Sequence, residues 1–242
     1  MKKAAEYFII FLMIQFVSIT LANGVYILTG GRAGENIAGT AIAMSIATFI
    51  LVIAVFVVWI RKVRFSTEYL MTKPYMQLAC CSLLGVASVP LSLGIEHVLP
   101  EMSNNNEELF NSIIASPMGF ATLVVLGPVS EEIVFRGAIL KALDKVVDRW
   151  VAIILSALLF AAVHFNPAQL IHAFLMGMLL AWICIRLGSI LPCIVIHIIN
   201  NGMAFVFIKY YPEVSLTSTP LLVLSVVVII ISLWGIMKTA RQ

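Results

Sequence analysis

The sequence predicts an all-α, polytopic membrane protein of about eight transmembrane helices, with its polar chemistry in the second half of the chain. Three observations predict it. The 242 residues are 62% hydrophobic and only 11% charged, against about 25% charged in soluble domains. The mean hydropathy is +1.06. Apolar runs of about 20 residues, the length that crosses hydrocarbon, recur from end to end. Such helices pack by close contact and by polar links rather than around a water-driven core. The net charge of +3 is small and the basic residues cluster at helix ends, which orients a membrane protein and excludes nucleic acid as a partner.

The runs lie near 4–29, 38–60, 75–95, 113–140, 150–166, 169–186, 190–208 and 219–237. The first follows Met1-Lys2-Lys3 and exceeds the 7–15 residues of a secretory h-region, and Leu21-Ala22-Asn23-Gly24 is a poor cleavage site. It is expected to be a retained first helix. With the N-terminus inside and sides alternating, 13 of the 15 Lys and Arg fall on the cytoplasmic side, Arg136 among them; Arg32 and Lys209 fall outside. The loop from Glu96 to Asn111 holds four glutamates and no Lys or Arg, as an outer loop does. The expectation is a multi-pass protein of a plasma membrane, bacterial, with both termini cytoplasmic. Cys80, Cys81, Cys184 and Cys193 all fall in apolar spans without a CxxC and read as small buried residues. Trp59, Trp150, Trp182 and Trp234 lie near helix ends and read as interfacial anchors.

One span is anomalous. Glu131 and Glu132 are the only acids inside a long apolar run, and Arg136 follows. A carboxylate in hydrocarbon costs a few kcal/mol or more, so such residues mark functional sites by default. Residues four apart share a helix face, which pairs Glu132 with Arg136 and leaves Glu131 to act. The competing reading is a purely structural ion pair. Pro128, three residues before the pair, frees a carbonyl near Val124 and with Gly127 loosens the helix there. Broken helices at membrane depth are tolerated where they line a polar cavity; an ordinary proline kink is the plainer alternative.

Two further polar sites complete the pattern: Phe160-Ala161-Ala162-Val163-His164, and His197-Ile198-Ile199-Asn200-Asn201. Alone, each reads as a helix-to-helix hydrogen bond. Together they can be placed at one depth. Glu131 and His164 are symmetric about the charged turn near 147–148, roughly 20 Å along their helices at 1.5 Å per residue. His197 and Asn201 follow the 186–189 turn by roughly 12–18 Å. His197 and Asn201 share a face, whereas Asn200 points elsewhere. Water activation needs a base, a group that holds the water and donors for an oxyanion. Glu131 suits the first, His164 the second, His197 and Asn201 the third. The chemical competitor is zinc held by His164, His197 and Glu131; no HExxH is present, and Asn201 is an uncommon ligand, so a metal-free site with no cofactor is favoured. His172 reads as a helix-to-helix hydrogen bond, with facing the cavity as the alternative, and His97 as solvated in the outer loop.

The three motifs, Glu131-Glu132-Ile133-Val134-Phe135-Arg136, Phe160 to His164 and His197 to Asn201, resemble in order and spacing the EExxxR, FxxxH and HxxxN motifs of the CAAX-protease and bacteriocin-processing (CPBP, or Abi) family of intramembrane endopeptidases. Gly177 and Leu187-Gly188-Ser189 also resemble the family's glycine-bearing helix and the turn before its third motif. The resemblance implies a single integral membrane domain over 1–242, a catalytic core over 113–208 and accessory helices over 1–112. It implies Glu131, His164, His197 and Asn201 as catalytic, Glu132 and Arg136 as supporting, and a peptide or protein substrate in or at the bilayer. The family is often labelled metalloprotease. Two other classes fit less well: a non-proteolytic immunity or regulatory scaffold, and a proton-coupled transporter, which would spread polar residues along a path rather than gather them at one depth.

Overall fold

The computed structural model describes residues 1–32, 34–60, 74–98, 107–164, 167–211 and 218–239. These residues form nine helices and no strand: α1 Lys2–Leu28, α2 Ile37–Trp59, α3 Pro74–Val98, α4 Glu107–Ile114, α5 Pro117–Leu143, α6 Arg149–Ala162, α7 Pro167–Leu187, α8 Leu191–Tyr210 and α9 Thr219–Thr239. Six contain stretches long and apolar enough to cross a membrane, within α1, α2, α3, α5, α7 and α9; α6 and most of α8 are shorter apolar helices. The all-α polytopic membrane fold therefore stands, with each expected span but the fourth falling on one helix.

Two boundaries differ from expectation. The fourth span starts at Pro117 rather than near 113, and a separate short helix, α4, precedes it. The physical reason is local: Ser116 is extended, as the residue before a proline prefers, and its Oγ caps α5 by accepting from the Gly119 N–H at 2.9 Å, with Pro117 at the first helical position. The third span runs on to Val98, so His97 is helical rather than in a loop.

The chain divides into two compact units, one of residues 1–64 and 103–142, the other of residues 65–102 and 143–242. In the first, α1 packs along α2 and against the second half of α5. Edge-to-face rings mark both contacts: Tyr7 on Phe56 at 6.0 Å, and Phe11 on Phe135 at 5.5 Å. In the second, α3 touches α7, α8 and α9, while α6 lies along α7.

Inside this second bundle, small and polar residues sit among the buried large apolar ones, as close helix packing in lipid requires. Along α9, Ser225, Ser232, Gly235 and Thr239 are buried, while Leu224, Ile230 and Ile231 are exposed. Gln77 of α3 donates from Nε2 to the Thr239 carbonyl at 2.9 Å, and a side chain at Gly235 would collide with Cys80. The four cysteines are free thiols, three buried and Cys80 half-buried. Trp59, Trp150 and Trp234 are exposed near helix ends.

Candidate active site

The glutamate motif lies on α5, whose backbone is irregular around it. Thr122–Leu126 and Ile133–Leu140 are π-helical, and the α-helical stretch Gly127–Glu132 separates them. The first widening sits where the sequence requires one. Pro128 has no N–H for the Val124 carbonyl, and the Gly127 N–H reaches back five residues to the Thr122 carbonyl. Glu131 and Glu132 thus end the narrow stretch between two wide turns. Single-turn widenings of this kind recur at functional sites because they re-aim side chains.

Glu132 and Arg136 form the expected pair. Arg136 Nη1 donates to Glu132 Oε1 at 3.0 Å, and both side chains are wholly buried. Arg136 is therefore not a loop cation, and the expected sidedness count falls from thirteen against two to twelve against two. Phe135, fully buried, fixes the neighbouring turn against Phe8 and Phe11 of α1. Glu131 is half-buried, more open than its neighbour.

The histidine motifs lie in the other unit. Here the FxxxH and HxxxN motifs meet on one ring. Phe160, 1% exposed, carries His164 edge-on at 4.7 Å and His197 at 6.0 Å. Gly177 of α7 lets the ring sit there: a Cβ at that position would come within 3.2 Å of Phe160 and 3.1 Å of Ala157. The turn before α8 is set by Gly188, whose φ of +67° is left-handed and whose N–H bonds the Cys184 carbonyl at 2.9 Å.

His164 is not inside a helix, as its apolar run suggested, but in the turn just past the end of α6. The 14 residues of α6 reach only roughly 21 Å, short of the ~30 Å hydrocarbon core. Asp148 caps its start, accepting from the Trp150 N–H at 2.9 Å. A helix that stops short leaves its last carbonyls to be satisfied. His164 does this with its ring: Nδ1 lies 2.9 Å from the Phe160 carbonyl. A carbonyl only accepts, so Nδ1 carries the hydrogen, and in the neutral ring the lone pair is on Nε2.

His197 is buried on α8 and Asn201 is half-buried one turn on. Asn200, 4% exposed, faces α3 and donates from Nδ2 to Ser88 Oγ at 2.8 Å. His172 is half-buried on α7, and antiparallel register from the Gly177–Ala157 contact brings it opposite the 164 region. Within either unit, the described residues gather no three His, Cys, Asp or Glu side chains that could hold a metal ion.

These features define a class: a polytopic helical membrane protein with a buried glutamate–arginine pair in one span and paired histidines on another bundle. Residues 113–203 match the model of the family described as type II CAAX prenyl endopeptidase Rce1-like, a segment of less than half the chain that includes all three motifs. The match of this segment supports the CAAX-protease family that the three motifs resemble. No curated protein and no solved structure matches the chain.

Proposed function

We propose that the chain hydrolyses a peptide bond of a membrane-associated, prenylated or leader-type peptide, using water activated by Glu131. The Glu131 carboxylate takes a proton from water as the oxygen attacks the peptide carbonyl. His164, through its Nε2 lone pair, holds the water's other hydrogen. His197 and Asn201 donate to the developing oxyanion. The carbon–nitrogen bond then breaks, and the proton held by Glu131 passes to the leaving amine.

The observation that carries this reading is the wholly buried Glu132–Arg136 pair beside a more open Glu131. One carboxylate is joined to a cation and wholly buried, and its neighbour, the more open of the two, is the proposed base. Further support is the chain symmetry of Glu131 and His164 about the turn at 147–148. The charge bias of twelve to two favours cytoplasmic termini in a bacterial plasma membrane.

The test is cleavage of a candidate peptide library by purified wild-type protein and by Glu131→Gln. Glutamine keeps the size of glutamate but cannot accept the water's proton, so cleavage should vanish in the variant. Unchanged cleavage by Glu131→Gln sinks the proposed base. A cellular phenotype that Glu131→Gln fully supports would instead identify a scaffold.

A further inference from the structure

The helix that carries His197 and Asn201 is held from outside the family segment. Its neighbour α3, residues Pro74–Val98, precedes the matched residues 113–203 altogether. Two independent features lock α3 to α8. At Gly85 the backbones come so close that a Cβ would lie 2.9 Å from the Ile196 carbonyl oxygen and 2.9 Å from Ile199 Cβ. One turn along, Asn200 Nδ2 donates to Ser88 Oγ at 2.8 Å, with both residues buried. Ser88 is itself oriented, since its Oγ donates to the Gly85 carbonyl at 2.9 Å and so presents a lone pair to Asn200. Ser92 Oγ in turn donates to the Ser88 carbonyl at 2.8 Å.

We infer that Asn200 and Ser88 are positioning residues, setting the rotation of α8 about its axis and hence the direction in which His197 and Asn201 point. The close approach at Gly85 fixes how near α8 lies, but a smooth apolar contact leaves a helix able to roll. A directional bond to Asn200 removes that freedom. Asn200 adjoins Asn201 and lies three residues beyond His197, so a roll at Asn200 moves both. In an apolar surrounding the bond has little competition from water, and its loss leaves buried polar atoms unpaired. This rests on the proposed roles of His197 and Asn201 in peptide hydrolysis.

The test compares Ser88→Ala with Gln77→Leu in the full-length protein. Gln77→Leu removes another buried α3 side-chain bond, the one to the Thr239 carbonyl on α9, remote from α8. The first readout is the ring nitrogen shifts of His197 in histidine-labelled protein, where only four histidines contribute. The second is kcat and KM on a cleaved peptide. Ser88→Ala should shift the His197 resonances and lower kcat about 10- to 100-fold with KM nearly kept, as small misplacements of catalytic groups do. Ser88→Thr, which retains the hydroxyl, should recover most of it. Gln77→Leu should lower thermal stability but leave His197 and kcat as in wild type. Unmoved His197 resonances in Ser88→Ala, or equal effects of Ser88→Ala and Gln77→Leu on kcat, would overturn the inference. Failure of Glu131→Gln to abolish cleavage would instead strike the hydrolytic reading, and the His197 shifts would still decide the positioning role on their own.

Discussion

Replacing Arg136 with Met tests the buried pair on which the division of the two glutamates depends. Both side chains are wholly buried and joined at 3.0 Å. Removing the guanidinium leaves the Glu132 carboxylate buried without its cation. Breaking one side of a buried pair typically costs about 3–5 kcal/mol, and 3 kcal/mol is roughly a 150-fold change in the folded-to-unfolded ratio. Replacing both partners with apolar residues of similar volume is often near neutral, because neither charge then has to be buried. Glu132→Leu with Arg136→Met should therefore recover at least about 2 kcal/mol of the loss from Arg136→Met alone. Unfolding in mixed micelles with increasing denaturing detergent measures all the forms against wild type. An Arg136→Met form within about 1 kcal/mol of wild type, or a double replacement no more stable than the single one, would refute a stabilising buried pair.

Phe160→Ala removes the ring that both histidines rest on; it should cost about 3–5 kcal/mol by the same unfolding measurement and lower turnover with it. A loss under about 1 kcal/mol would contradict close packing of that ring. Cleavage by wild-type protein should survive metal chelators and gain nothing from added zinc. Loss of activity in chelator with recovery on zinc would replace the proposed water activation by a metal-assisted one.

Much of the fold was legible because the bilayer imposes a length on each span. The α1, α2, α7 and α9 runs announce themselves by composition alone. What composition could not show were the breaks. The split between α4 and α5 depends on Ser116 and Pro117, a cap signal inside an apolar stretch. The early end of α6 comes at Ala162, a few residues before the Asn166-Pro167 dipeptide that marks a turn, so the apolar run overstates its length. The same limit applies to the site. Helical spacing was enough for the Glu132–Arg136 pair, since four-residue neighbours are a property of the helix itself. That Phe160 gathers His164 and His197 depends on Gly177 admitting the ring from a neighbouring helix, which no local spacing encodes. Asn200 was set apart from Asn201 by its helical face, but its partner Ser88 lies 112 residues away and left no trace in the sequence.

The most direct measurement sets Glu131→Gln beside Glu132→Gln, scoring each for peptide cleavage and for unfolding free energy. Glu131→Gln should lose cleavage while keeping wild-type stability, and Glu132→Gln should be destabilised because Arg136 loses its counter-charge. The reverse pattern, with Glu131→Gln unstable and Glu132→Gln stable but inactive, would contradict the assignment of the base.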